Sequence, residues 1–334
     1  MTDRSHLPRR QFLRAALGLA AVGPIVPATA WAQADYPRHP IRILIGTPPG
    51  DTVDGWTRQL VVGLGASLGQ PVIVENKPGA HGMIVGNAAK VADKDGYTLL
   101  VSTGGPMSIN PSVYGSKLTY DPLKDFAAIG HFTKGALYLY CNNDLPVTNL
   151  KEMVAYVKAR PGKISYGSGG TGTTQHLSME ILKKATGMDM VHVPYKGSPM
   201  VLQDVIGGQI PFAFDAGGSL LPQVRSGKVR VLAVSTATRS SLTPDIPTLV
   251  EQGVPGFDTR VWAGLFAPAG TPEAIIARLN KDLNQAIQAP KFVELLRVGA
   301  AEPWSGSAGD MSEFLKTDIE RWRVVVREAN VKPE

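Results

Sequence analysis

The chain predicts an α/β fold with a largely parallel sheet, arranged as two lobes. Three observations carry this. After residue 35, short apolar runs alternate with amphipathic ones. Glycine-bearing loops join the apolar runs to the helical segments that follow. The alternation passes through two similar series, the second beginning near Ala136, and ends in a helical tail. Repeated strand–loop–helix units build parallel sheets. A length of 334 residues allows two domains, each large enough to bury a core.

The first series opens with Ile41-Arg42-Ile43-Leu44-Ile45-Gly46, a buried strand. Helical periodicity follows through Trp56, Leu60, Val61 and Leu64. Residues 71–75 and 98–102 read as strands, with a helix over Met83–Ala92 between them. In the second series residues 136–141, 164–166, 191–193, 212–215 and 229–234 read as strands. Asn149 or Thr148 caps a helix over Leu150–Arg160, ended by Pro161-Gly162. Further helices are expected over Gln175–Thr186 and Pro199–Gly207. Thr271 is a cap for a helix beginning at Pro272, with Ile275, Leu279 and Leu283 on one face. The tail helix spans roughly 311–329 and is expected to return to the first lobe.

Composition excludes several classes. Glycine (36) and proline (26) stay below the share of a low-complexity chain. One cysteine, Cys141, rules out an intrachain disulfide or a multi-cysteine metal site, and on an apolar strand it reads as a small buried residue. The net charge of +6 is shared equally between the first 34 residues and the rest, with no basic run, so nucleic-acid binding gains no support. Those first 34 residues read as a signal peptide. Arg9-Arg10 precedes Phe12-Leu13 in the manner of a twin-arginine leader, and an Ala/Gly/Leu/Val stretch ends at Ala32-Gln33-Ala34, with cleavage expected after Ala34. An exported, periplasmic protein is the expectation.

Ligands in open α/β sheets sit beyond the carboxyl ends of strands. Five loops take that position: 47–54, 76–82, 103–108, 167–174 and 194–198. Their amides and hydroxyls suit a small anion at helix starts; tight turns alone are the plainer reading of any single loop. Gly167-Ser168-Gly169-Gly170-Thr171-Gly172 fits a dinucleotide-binding spacing, which keeps an exported cofactor-binding oxidoreductase as the rival function. The acidic residue such a site wants after the next strand is missing: Val191-His192-Val193 is followed by Pro194-Tyr195-Lys196. No serine sits in a nucleophile elbow. The histidines (His39, His81, His131, His176, His192) lack metal-ligand spacing, so neither metal nor cofactor is expected. Trp56 and Trp262 read as core more readily than as ligand platforms.

Residues 165–177, from Ser165-Tyr166-Gly167-Ser168 to Gln175-His176-Leu177, resemble the hallmark loop of the Bug proteins, the extracytoplasmic solute receptors of tripartite tricarboxylate transporters. Val191-His192-Val193-Pro194-Tyr195-Lys196-Gly197, Val74-Glu75-Asn76-Lys77-Pro78-Gly79-Ala80, Ile109-Asn110-Pro111, Phe214-Asp215 and the run from Trp262 to Pro272 are similar to other motifs of that family. The resemblance implies a two-lobed periplasmic binding protein fold, type II-like, with two hinge-crossing strands. Lobe one would hold 35–136 plus 261–334 and lobe two 137–260. It implies a non-enzymatic monomer that captures a small carboxylate between lobes and delivers it to the membrane subunits of a transporter. A receptor feeding a sensor kinase is not separable from this by sequence. Carried over by position, the ligand contacts are Gly50, Thr52, Asp54, Gly79 and Thr103, then Ser168, Thr171, Thr173, Gly197 and Asp215 across the cleft. Tyr195 and Lys196 would shape the second wall, Lys196 as a charge partner or a solvated lysine. The chain departs from the family at Asp51, which replaces a glycine and adds negative charge, at Val53, at His81 and at Met83. These changes favour a ligand with an apolar or aromatic body and one well-recognised carboxylate over a highly charged acid such as citrate.

Overall fold

The computed structural model describes Tyr36–Lys332; the leader and its cleavage point lie outside the described residues. The first array is β1 (Ile41–Ile45), α1 (Thr52–Leu68), β2 (Val72–Asn76), α2 (Met83–Lys90) and β3 (Thr98–Thr103). β1 is flanked by β2 and β3, all parallel. Four of its five residues are buried, with Arg42 alone exposed, which explains its nearly continuous apolar run. After β3 the chain does not loop out to residue 108. Gly105–Ile109 winds into a π-helical turn that leads into the short α3 (Asn110–Tyr114).

β4 (Phe126–Asn142) is one 17-residue strand, where the sequence pattern shows a strand only from Ala136. The second array follows: α4 (Leu150–Lys158), β5 (Ile164–Ser168), α5 (Thr174–Thr186), β6 (Met190–Pro194), α6 (Ser198–Ile206), β7 (Phe212–Ala216), α7 (Gly217–Arg225) and β8 (Val229–Val234). Asn149 caps α4 by accepting the Glu152 amide. β9 (Arg260–Pro268), α8 (Glu273–Ala286), α9 (Pro290–Val298), β10 (Ala301–Pro303) and α10 (Ala308–Glu328) complete the chain. Pro272, not Thr271, stands at the N-cap of α8; the Thr271 hydroxyl instead donates to the Pro268 carbonyl at 2.8 Å. Ser307 and Asp310 form a reciprocal capping box that starts α10.

The strand order is β2-β1-β3-β9-β4-β7-β5-β6, with β8 and β10 also paired to β4. β9 inserts antiparallel between β3 and β4. Residues 126–136 of β4 pair with β9, and residues 137–142 pair with β7 and β8. A single strand therefore passes from one array into the other. The returning chain crosses beside it: Ser235 donates its hydroxyl to the Thr259 carbonyl at 2.6 Å and accepts the Leu137 amide at 2.9 Å. Both Ser235 and Thr259 are buried, so these bonds tie the two crossings together out of water. Each array has its own apolar core. Leu44, Leu100, Phe266 and Met311 anchor the first; Leu139, Cys141, Tyr166 and Phe212 anchor the second. α10 joins them, since its Trp322 and Val326 pack with Ile109 and Val113 on one side and with Leu177 of α5 on the other.

Candidate functional site

All five loops read from the sequence open on one cavity of about 830 Å³, within the ~300–1,000 Å³ usual for small-molecule sites. Its lining comes from both arrays. Pro48, Asp51, Thr52, Gly79, His81 and Thr103 face Thr171, Thr173, Tyr195, Lys196, Gly197 and Asp215. The N-termini of α1, α5, α6 and α7 all reach it, through Thr52, Thr174, Ser198 and Ala216. Each brings the positive end of a helix dipole.

The rims approach closely. A methyl group built on Gly170 would lie 3.1 Å from the His81 ring, one on Gly218 2.9 Å from Thr52 Cγ2, and one on Gly197 3.7 Å from Pro48 Cγ. Gly170 also has φ +131°, so two independent constraints demand glycine there.

Gly50, Asp54 and Ser168 do not line the cavity. Asp54 is buried, and its carboxylate accepts Arg58 Nε, Asn76 Nδ2 and the Gly50 amide at 2.9–3.0 Å. Burial raises its pKa, but these bonds outweigh burial and hold it below the usual carboxylate range. It braces the 47–54 loop against β2. Ser168 is equally enclosed: its hydroxyl pairs with His192 Nε2 at 2.7 Å and with Gly170 at both amide and carbonyl.

The 167–174 loop is shaped from beneath by two histidine rings stacked 3.8 Å apart. His176 Nδ1 accepts the Gly172 amide at 3.1 Å, and burial, with Lys183 nearby, holds its pKa down to about 4, so the ring is neutral as that bond requires. Thr173 does line the cavity, yet its hydroxyl donates to the Gly170 carbonyl at 2.8 Å and accepts the His176 amide as the N-cap of α5. Among the described residues no acceptor outside α5 meets the amides of Thr174 and Gln175. Thr173→Ala is expected to lower stability by about 1 kcal/mol through loss of this cap, and Thr173→Ser to restore it, in urea unfolding without ligand.

Two residues read from sequence as core serve both purposes. Trp56 and Trp262 are 3% and 4% exposed, and both edge the cavity. Trp262 is fixed by its Nε1 donating to buried Asp318 at 3.1 Å. With Val85, Val101 and Val261 they form an apolar wall. Trp56 lies one helical turn beyond Thr52, and that spacing was the available signal. Ser198 and Asn110 also line the cavity; both lie in motifs or loops read from the sequence, and neither is among the contacts the family resemblance implies. The Tyr195 ring faces the cavity while its hydroxyl donates to Asp204 at 2.6 Å. Burial raises the Asp215 pKa to about 7, against bonds from Ala216 and Ser198 and with help from the charge of Asp51.

A sheet that runs through shared strands from one α/β array to another, with facing loops around one cavity, defines the two-lobed periplasmic solute-binding class. The family model "Tripartite tricarboxylate transporter family receptor" (TctC) matches residues 56–331, and the chain belongs to that family of solute receptors. It is 35% identical over 320 residues to Protein BugT of Bordetella pertussis, covering 94% of this chain and 98% of the relative. Among solved structures it resembles an R. palustris protein with adipate (TM-score 0.86, 32% identity, 90% of this chain and 100% of that one). The periplasmic binding protein BugD is similarly close (TM-score 0.83, 31% identity, 90% and 100%).

Proposed function

We propose that the protein captures a small carboxylic acid in this cavity, in the periplasm after export and cleavage of its leader, and delivers it unaltered to the membrane subunits of a tripartite tricarboxylate-type transporter. The observation that carries the reading is the convergence of four helix N-termini, from both arrays, on one cavity. Among the described residues, two of their amides, at Thr174 and Gln175, meet no acceptor outside their own helix. Fixed amide dipoles replace the hydration of an anion without needing a metal or a paired cation. The adipate in the R. palustris relative supports an acid as ligand. The tryptophan wall supports an apolar body between the ligand's polar ends. The lobes divide as 35–136 plus 261–334 and 137–260, and they part and close about the Ser235–Thr259–Leu137 crossing. Closure around the ligand selects the closed population.

Native mass spectrometry of the protein purified from the periplasm tests this. An added mass matching a small organic acid, displaced by dialysis and restored on re-addition with a raised melting temperature, is the expected result. A co-purifying nucleotide or flavin would overturn it in favour of the oxidoreductase.

A further inference from the structure

The cavity has a second pole, opposite in character to its amides. Asp51, from the loop that starts α1, and Asp215, from the end of β7, both line it. They are brought together where the arrays touch. Thr52 follows Asp51 in sequence and packs against Gly218, three residues after Asp215, closely enough that a methyl on Gly218 would lie 2.9 Å from Thr52 Cγ2. Asp215 is 2% exposed; its Oδ1 accepts the Ala216 amide at 2.8 Å and its Oδ2 accepts the Ser219 hydroxyl at 3.2 Å. Asp51 Oδ1 accepts the Val53 amide at 2.9 Å, and among the described residues no donor meets its Oδ2.

Among the described residues that line the cavity, no cation answers this pole. Among the lining residues there is no arginine, the lysine is Lys196, which is exposed, and His81 lies beside Gly170 on another part of the rim. Burial lifts the pKa of both carboxyls, as it does where acids lack a positive partner. A second carboxylate on the ligand would add a third anion here. A protonated nitrogen would satisfy both acids, giving them charge-assisted hydrogen bonds from its three N–H donors.

We propose that the ligand is a zwitterion, with its carboxylate at the amides of Thr174 and Gln175 and a protonated amine between Asp51 and Asp215. This rests on the carboxylate-receptor reading above and narrows it to ω-amino acids with an apolar spacer. Asp51, more than any loop glycine, then sets specificity against di- and tricarboxylates.

Matched ligands separate the two ideas. The dialysed protein is titrated calorimetrically at pH 8 with adipate, 6-aminohexanoate and hexanoate. The four- and five-carbon equivalents follow, and then terephthalate, 4-(aminomethyl)benzoate and 4-methylbenzoate. Within the best-fitting length, the amino acid is expected to bind at least about 10-fold tighter than its diacid and its methyl analogue. Asp51→Asn keeps a good helix cap and is expected to shrink the preference over the diacid to about 3-fold or less. Asp51→Ser, another good cap, stands in should the asparagine variant fold poorly. Tighter binding of the diacid by the native protein, or an unchanged preference in these variants, overturns the zwitterion and leaves the carboxylate receptor standing. Failure of every compound to bind at millimolar concentration overturns the carboxylate reading and this proposal with it.

Discussion

Asp215→Asn is expected to stabilise the unliganded protein at pH 8, by up to about 4 kcal/mol, the free-energy equivalent of the rise in the pKa of this buried carboxyl. Burial raises the Asp215 pKa from its ordinary value of 3.8 to about 7, so between those values the folded state holds a proton the unfolded state has lost. Its destabilisation is complete above pH 7 and is relieved as pH falls toward 4. Two buried histidines act in the other sense. His131, whose ring stacks 3.6 Å from Trp304, and His176 are both held down to about 4, first by burial. The unfolded state therefore takes up their protons first. Their contribution is full above pH 6.5 and is lost as pH drops toward 4, to the extent of roughly 3 kcal/mol each. In the native protein the opposed effects flatten the profile between pH 6.5 and 4. Removing the Asp215 carboxyl takes away one group that opposes the histidines, so the variant should lose stability more steeply than the native protein across that interval. Urea unfolding at half-unit pH steps checks this. An Asp215→Asn protein no more stable than the native one at pH 8 would show that its burial is not costly.

Gly218→Val is expected to weaken ligand binding while leaving the melting temperature of the free protein nearly unchanged. The added side chain projects at Thr52 across the line where the arrays meet, with its Cβ alone at 2.9 Å from Cγ2. Overpacking of this kind costs ~1–3 kcal/mol, which reads as about 5- to 150-fold in Kd. The penalty falls on the closed arrangement alone if the lobes separate without ligand. Small-angle scattering with saturating ligand should then show a larger radius of gyration than for the native protein. An equally compact variant with native affinity would mean that this contact tolerates a wedge and does not gate closure.

Much of the frame was legible because its strands are buried on both faces. Ile41–Ile45, Thr98–Thr103 and Val229–Val234 announce themselves as predominantly apolar runs, and Asn149 marks the start of α4. The first half of β4 was not legible. Its alternation is broken by Gly130 and Gly135, and its pairing with β9 shifts register twice, between Ala128 and Gly130 and between His131 and Thr133. α7 was hidden by two glycines at its start and by Pro222 within it. At the site, the loops were found but not the direction of each side chain. Ser168 and Thr173 carry the hydroxyls an anion site needs, and the same hydroxyls at the same places fasten a turn or cap a helix. Here they do the latter. Sequence spacing alone does not distinguish a group aimed at a ligand from one aimed at its own backbone.

The insertion of β9 between β3 and β4 also constrains how the molecule is assembled. Leu100 pairs with Phe266, and Ala136 with Arg260, across more than a hundred residues of intervening chain. The N-terminal sheet thus presents unpaired edges on β3 and on the early part of β4 until the segment near residue 268 has been delivered. Such distant pairing slows folding and leaves partial chains prone to associate through those edges. A nascent polypeptide lacking its last seventy residues would carry most of its sheet, with its second half formed and its first still missing the strand that closes it.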